Sequence, residues 1–174
     1  MELVTTAMAM AGVRAEELSY IEAHGTGTQL GDPIEVAALT QAFKRSTDER
    51  GFCGLGSVKN NIGHLDVAAG IAGLIKTICA LQHRQLPPTI NIEELNPELR
   101  LEESPFYIVD RLTDWPQPRH GNRIAGVSSF GMGGTNAHVV LEEYTGRQKT
   151  ATSSRQWHLL PVSAATSTAL KTAA

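Results

Sequence analysis

The order of the apolar segments constrains the fold of this chain more than any other feature of its sequence. Short apolar runs of strand length alternate with longer stretches of helical spacing, beginning with a helix over residues 3–11 that Gly12 ends. The pattern predicts five strands, the last two as an antiparallel hairpin, at 18–23, 54–58, 106–109, 124–130 and 137–141. Alternation that closes in a hairpin is typical of an α/β domain, a mixed β-sheet layered with helices.

The second helix has a clear predicted start at Asp32. Asp32 can cap the helix, Pro33 suits its first turn, and Glu35 stands where a capping-box acid belongs. The apolar side of this helix then carries Val36, Leu39 and Phe43.

The third helix, from about residue 66 to residue 85, has the strongest apolar pattern in the chain. Its large apolar residues form one stripe, made of Val67, Ile71, Leu74, Ile75, Ile78 and Leu81. The first half also has a thin face that lets another backbone approach closely, made of Ala68, Ala69, Gly70, Ala72 and Gly73. We expect Pro87-Pro88 to end the helix and residues 89–104 to be irregular.

Composition limits the functions open to the chain. With 41% hydrophobic residues, its 174 residues can bury one sizeable core. No apolar run approaches the ~20 residues that span a bilayer and no signal-peptide pattern opens the chain, so we expect a cytoplasmic protein without a membrane partner. A net charge of -3 without a dense Lys/Arg block gives no reason to expect nucleic acid.

The two cysteines are too few for a disulfide framework. Cys79 lies inside an apolar helical pattern and is interpreted as a small buried residue. Cys53 stands among glycines at a strand start, and we interpret it as mainly structural.

Three segments place polar side chains beside glycines at the ends of predicted strands, where α/β proteins usually build their sites. In residues 22–28, His24 is the natural proton carrier or hydrogen-bond donor, unless it only satisfies a turn. In residues 57–64, His64 precedes the third helix, whose dipole should keep the imidazole neutral near pH 7 and able to donate to a developing oxyanion. Lys59 is either a solvated charge or a lysine whose costly desolvation has a functional reason.

The third segment, residues 130–136, is rich in glycine. It lacks the lysine and the Ser/Thr of a phosphate-binding P-loop, and the alternative is a hairpin turn without a site. No Cys-x-x-Cys or His-x-x-x-His pair occurs, so no metal site is expected. The absence of a Gly-x-Ser-x-Gly elbow argues against a hydrolase.

Taken together and in order, four motifs resemble the ketosynthase domains of modular type I polyketide synthases. They are Glu-Ala-His-Gly-Thr-Gly-Thr at 22–28, Gly-Asp-Pro-Ile-Glu at 31–35, Ser-Val-Lys-Asn-Asn-Ile-Gly-His at 57–64 and Ser-Ser-Phe-Gly-Met-Gly-Gly-Thr-Asn-Ala-His at 128–138. The resemblance implies the C-terminal half of a thiolase-like fold over residues 1–143. It also implies that 144–174, polar until Leu-Leu-Pro-Val-Ser-Ala at 159–164, is a post-ketosynthase linker that starts a linker subdomain.

The resemblance also implies roles for individual residues in a decarboxylative Claisen condensation of acyl and malonyl-type thioesters. His24 and His64 match the two catalytic histidines, which hold the extender's thioester carbonyl and stabilise the enolate. Lys59 matches a lysine that supports His64. Thr26 and Thr28 match threonines that contact the phosphopantetheine arm. The remaining matches form the oxyanion-hole and gating loop: Phe130, Gly131, Gly133 and Met132, whose backbone N–H would supply one half of the oxyanion hole.

The partners implied by the resemblance are an acyl carrier protein, the N-terminal ketosynthase half, adjacent synthase domains and a second copy in a homodimer. No cofactor is expected on the chain itself, because phosphopantetheine on the carrier protein holds the substrates. Neither Cys53 nor Cys79 has the surroundings of the family's nucleophile, so the chain alone should be inactive. A noncatalytic ketosynthase remnant that serves as a docking module remains an alternative, as does an unrelated small-molecule binding domain.

Overall fold

A computed structural model describes residues 1–118, 121–146, 166–168 and 171. Its helices are α1 (Glu2–Ala11), α2 (Gly31–Phe43), α3 (Lys59–Ile62) and α4 (Ala69–His83). Its strands are β1 (Leu18–Glu22), β2 (Cys53–Gly56), β3 (Gln85–Leu86), β4 (Phe106–Ile108), β5 (Thr113–Asp114), β6 (Ile124–Phe130) and β7 (Asn136–Glu142). Most of the predicted linker at 144–174 lies outside the described residues.

The main sheet has five strands in the order β4-β2-β1-β6-β7. The first four run parallel, and β7 pairs antiparallel with β6 as predicted. Strands β3 and β5 form a separate antiparallel pair that the sequence pattern did not predict. The prediction of a mixed sheet layered with helices is confirmed.

Helices cover both faces of the sheet, and each face has its own apolar core. Tyr20 and Ile21 are neighbours on β1 but belong to different clusters, because successive side chains of a strand point to opposite faces. Ile21 packs with residues from α1 and α2, which include Val4, Met8, Val36, Leu39 and Phe43. Tyr20 packs with Ala80 and Leu81 of α4 and with Trp115, whose ring lies 5.6 Å from that of Tyr20.

The start of α2 differs from the prediction. The helix begins at Gly31, and Leu30 occupies the capping position without a side-chain cap bond, so the predicted capping box is wrong. The carboxylates of Asp32 and Glu35 turn instead toward the preceding loop, where the Gly27 N–H donates to both oxygens of Asp32 at 3.2 Å. These two acids therefore hold the loop rather than the end of their own helix.

The end of α4 also differs from the prediction. Arg84 adopts a left-handed conformation, and its N–H donates to carbonyl groups of the last helical turn. Gln85 and Leu86 then pair with Asp114 and Thr113 of β5. The helix therefore stops before Pro87-Pro88, because the chain has already turned into a strand.

Helix α4 faces the sheet with its small residues. Ala69, Gly73, Thr77 and Ala80 are buried there, and two of them, Ala69 and Gly73, belong to the predicted thin face. The group that comes close to Gly73 is the side chain of Glu22. The large apolar residues Ile71, Ile75 and Ile78 are exposed on the other side of α4, and Val67, in the 3₁₀ turn before the helix, is exposed as well. Cys79 is exposed with them, so the prediction that it is buried is wrong: it lies on the face that turns away from the sheet.

Within the described residues, no helix is both long enough and apolar enough to cross a membrane.

Candidate active site

Three adjacent parallel strands bring the predicted site segments to one edge of the sheet. Strands β2, β1 and β6 are neighbours, and parallel neighbours end at the same edge. His24 follows β1, the segment from Lys59 to His64 follows β2, and Gly131 follows β6. Segments far apart in sequence therefore meet because of the strand order.

The two histidines lie together at this edge. The ring centroids of His24 and His64 are 5.5 Å apart, and the ring planes are nearly perpendicular at 85°. The Phe130 ring lies 5.7 Å from that of His24 on a tilted plane. His24 is half-buried, whereas His64 is exposed in the described part of the chain.

Glu35 holds the main chain at His24, and the imidazole of His24 is partly shielded from solvent. Its backbone N–H donates to Glu35 Oε1 at 2.7 Å, and the next N–H, of Gly25, donates to Glu35 Oε2 at 2.9 Å. The Nδ1 atom of His24 is buried without a hydrogen-bond partner among the described residues. Burial, and then the nearby Lys59 and His64, lower the pKa of His24 below its ordinary 6.5. His24 is therefore a neutral imidazole at pH 7.

A single hydrogen bond selects the tautomer of His64. The backbone N–H of Asp66 donates to His64 Nδ1 at 2.9 Å. An Nδ1 atom that accepts a hydrogen bond carries no proton, so a neutral His64 carries its proton on Nε2. His64 can therefore donate one hydrogen bond from Nε2 without first losing a proton.

Lys59 is the first residue of the short helix α3, which the sequence pattern did not predict. Burial lowers the pKa of its ammonium group, while the carboxylates of Glu22, Glu35 and Asp32 raise it. Its positive charge in turn lowers the pKa of His24. Lys59 therefore acts electrostatically on His24, although it stands in the segment that carries His64.

The glycine-rich loop is a tight connection between β6 and β7. The Gly131 N–H donates to the carbonyl of Thr135 at 2.8 Å, and the Gly134 N–H donates to the carbonyl of Gly131 at 3.2 Å. Gly133 and Gly134 have φ values of 103° and 92°. Residues that carry a side chain rarely adopt such positive φ values. The Met132 side chain is fully exposed, and its N–H donates to no other group within the described residues.

Thr26 and Thr28 lie in the loop that joins β1 to α2, just after His24. Thr26 Oγ1 and Thr28 Oγ1 are 3.2 Å apart on exposed residues, and Thr28 Oγ1 accepts from the Gly31 N–H at 3.1 Å. A cavity of about 500 Å³ opens beside the loop and is lined by residues that include Ala23, Gly25, Thr28, Glu35 and Ser57. The imidazoles of His24 and His64 do not line it, so the site is an open cluster next to a cavity.

Three polar residues on β1 and α4, Tyr20, Glu22 and Lys76, were not identified from the sequence as part of a site. Glu22, which is 1% exposed, accepts from Tyr20 Oη at 2.7 Å and from Lys76 Nζ at 2.8 Å. The signal was present in the sequence, because an acid stands in the buried strand β1 and a lysine in the apolar helix α4. Opposite charges at such positions indicate a buried ion pair.

Cys53 lies at the opposite end of β2 from the site. Its thiol is fully buried, and burial raises its pKa well above the ordinary value. A neutral, buried thiol is a poor nucleophile, which agrees with its interpretation as a structural residue.

Two protein families match the chain. The C-terminal domain of beta-ketoacyl synthases matches residues 1–93, and the ketoacyl-synthetase C-terminal extension matches residues 96–174. The chain belongs to the beta-ketoacyl synthase family. More narrowly, it corresponds to the C-terminal part of a ketosynthase of a modular polyketide synthase.

The relatives support the narrower assignment. The chain is 50% identical over 143 residues to polyketide synthase ThaG of Burkholderia thailandensis, a match that covers 82% of the chain and 2% of that protein. It is 49% identical over 161 residues to polyketide synthase PksN of Bacillus subtilis, a match that covers 91% of the chain and 3% of that protein. The chain therefore spans only a few per cent of the length of these relatives.

Solved ketosynthases have the same fold. The module 6 ketosynthase of the bacillaene synthase from Bacillus subtilis superposes with a TM-score of 0.81 at 44% identity, over 84% of this chain and 26% of that one. Ketosynthase twelve of the bacillaene synthase from Bacillus amyloliquefaciens gives 0.79 at 51% identity, over 83% and 26%. The predicted thiolase-like fold, limited to the C-terminal part, is confirmed. The chain spans about a quarter of these ketosynthase structures.

Proposed function

We propose that this chain provides the extender-activating half of a β-ketoacyl synthase site. In the complete enzyme, a malonyl-type thioester loses its carboxylate as carbon dioxide, and the electron pair of the broken bond becomes the enolate. The enolate carbon then attacks an acyl thioester on a cysteine supplied by the N-terminal half. A carbon–carbon bond forms, and the cysteine leaves as a thiolate.

The observation that carries this proposal is the pair of imidazoles 5.5 Å apart. His64 offers an Nε2–H because Asp66 occupies its Nδ1. His24 is neutral at pH 7 because its pKa is lowered, and its buried Nδ1 leaves Nε2 to face a substrate. Two imidazoles that each present an Nε2–H to one thioester oxygen would stabilise the negative charge that develops there on decarboxylation.

The neighbouring groups fit the same reaction. The uncommitted Met132 N–H would donate to the oxyanion of the acyl thioester, with Phe130, Gly131 and Gly133 fixing its position. The exposed hydroxyls of Thr26 and Thr28 would contact the phosphopantetheine arm by which an acyl carrier protein delivers both substrates. The same proposal includes that the complete enzyme is a homodimer. It also includes that this chain alone is inactive, because the N-terminal half supplies the cysteine.

The test uses the complete ketosynthase polypeptide with a malonyl-pantetheine thioester. We expect His64→Ala and His24→Ala each to slow carbon dioxide release by ~100- to 1000-fold, the cost of losing one oxyanion donor. Acylation of the cysteine should fall less, because the histidines act on the extender. The matched control is His83→Ala, at the exposed end of α4. Equal, large losses in both half-reactions would contradict the proposed division of roles.

A further inference from the structure

A largely buried ion pair joins Glu22, two residues before His24 on the chain, to Lys76 of α4. The side chain of Glu22 is 1% exposed and that of Lys76 is 10% exposed, and Lys76 Nζ lies 2.8 Å from Glu22 Oε2. Tyr20 Oη donates to the same oxygen at 2.7 Å. Because a buried carboxylate is costly without partners, these two donors stabilise the negative charge of Glu22 in the core.

The second carboxylate oxygen reaches another element. The backbone N–H of Val58 donates to Glu22 Oε1 at 2.5 Å. Val58 is the residue before α3, and the chain continues from the end of α3 through Gly63 to His64. Glu22 itself stands on β1, two residues before His24. One carboxylate therefore joins the strand that carries the first histidine to the turn that carries the lysine and the second histidine.

Helix α4 closes over this carboxylate. A Cβ atom added at Gly73 would lie 3.0 Å from Glu22 Cγ, tighter than ordinary packing. The thin face of α4 therefore makes room for the Glu22 side chain, and Lys76, one turn further along α4, supplies the opposite charge.

The charge of Glu22 also acts on the site. Among the groups facing Lys59, Glu22 on β1 raises its pKa most, followed by Glu35 and Asp32 of α2, and all three oppose the lowering by burial. Lys59 in turn faces His24. Glu22 therefore helps to keep Lys59 charged beside the first histidine.

We propose that Glu22 is a positioning residue for the two-histidine site: its buried carboxylate, paired with Lys76, holds the Val58–Lys59 turn against β1 and thereby sets Lys59 and His64 relative to His24. The inference rests on the function proposed above. It adds a residue that contacts no reacting atom and acts through the turn and through the charge of Lys59.

Two substitutions separate the reach of the Glu22 side chain from its charge, again in the complete ketosynthase polypeptide. Glu22→Gln keeps the reach to the Val58 N–H and loses the charge, whereas Glu22→Asp keeps the charge and shortens the reach. We expect Glu22→Asp to slow malonyl decarboxylation by about 10- to 100-fold, because misplacement of the turn by about 1 Å can cost that much. Glu22→Gln should slow the reaction as well, because Lys59 then lacks the carboxylate that most raises its pKa. Only Glu22→Gln should move the alkaline limb of the pH–rate profile to lower pH, since Lys59 then loses its proton more easily.

A double substitution controls for stability. In Glu22→Gln/Lys76→Gln, two neutral amides replace the ion pair and the acceptor for the Val58 N–H remains, so the thermal unfolding midpoint should return toward that of the unmodified enzyme. We expect the alkaline limb to stay at the lower pH even so. If the double variant regains both stability and the original pH profile, Glu22 is only structural and the inference is overturned. An unchanged rate and profile in Glu22→Gln would overturn it as well.

The inference and the proposed function can fail separately. If His24→Ala and His64→Ala leave decarboxylation intact, the proposed function fails and the inference with it. If the histidine variants are inactive while the Glu22 variants behave as the unmodified enzyme, only the role of Glu22 is refuted.

Discussion

The exposed face of α4 should make this chain self-associate, and charges placed on that face should prevent it. We define the α4 stripe as Ile71, Ile75 and Ile78 of α4 together with Val67 of the 3₁₀ turn just before it. Their exposed fractions are 98%, 53%, 55% and 39%. Large apolar residues this exposed along one helix face form a continuous patch of the kind that marks an interaction surface.

The size of the effect follows from these fractions. Together they amount to about two and a half fully exposed side chains, and burying one such side chain is worth about 1.5–3 kcal/mol. Covering the α4 stripe is therefore worth ~4–7 kcal/mol. This compares with a total stability of ~5–15 kcal/mol for a typical domain, so the open stripe leaves a large fraction of the possible stabilisation unused.

The assay is sedimentation velocity of the chain over a range of micromolar concentrations. We expect the unmodified chain to form dimers or larger species and to bind a hydrophobic dye. Ile71→Lys/Ile75→Lys should shift it to monomer and reduce dye binding, because two ammonium groups would have to be desolvated at the contact. The matched control is Ile34→Lys, since Ile34 is 59% exposed on α2, outside the α4 stripe.

Two results would refute this reasoning. One is a monomeric unmodified chain with a sharp, high-temperature unfolding transition and no dye binding. The other is an equal loss of association in Ile34→Lys, which would show that net charge, rather than the α4 stripe, controls the contact.

Three further predictions concern single residues. Glu35→Gln should lower the free energy of unfolding by ~1–3 kcal/mol, measured by chemical denaturation. The carboxylate accepts hydrogen bonds from the N–H groups of His24 and Gly25, and in the variant one of these N–H groups faces an amide NH₂ and loses its acceptor. Burial lowers the pKa of His138 from 6.5 to about 4. As pH falls the unfolded chain therefore takes up this proton first, and ~3 kcal/mol of stability should be lost between pH 6.5 and 4, a slope that His138→Gln should flatten. An alkylating reagent followed by mass spectrometry should modify the exposed Cys79 and leave the buried Cys53 intact, and Cys79→Ser should abolish the labelling.

The sequence pattern predicted the elements that depend on periodicity. Helices α1 and α4 and the strands of the main sheet lie within a few residues of their predicted bounds, because their apolar residues repeat with the period of the element. The meeting of His24 and His64 was expected only from the resemblance, because no local pattern encodes strand order. The order β2-β1-β6 places them side by side.

The errors come from features that tertiary contacts decide. Asp32 and Glu35 have the spacing of helix caps, but the nearby loop offers N–H groups that bind them instead. Cys79 has the periodicity of a buried residue, yet the small residues Ala69 and Gly73 bring the other face of α4 onto the sheet. An apolar stripe shows that a face will be covered, but it does not show which partner covers it.

Helix α4 connects the Glu22–Lys76 ion pair with the exposed α4 stripe, because each lies on a different face of this helix. The small residues on one face let Glu22, two residues before His24, approach Gly73 and pair with Lys76. The isoleucines on the other face are exposed, about one helix diameter away, ~10 Å. A surface that packs on the α4 stripe therefore contacts none of the hydrogen bonds that orient the site. It does contact the helix that covers Glu22. A surface that covers the α4 stripe would hold this helix in place, and with it the ion pair on which the spacing of Lys59, His64 and His24 depends.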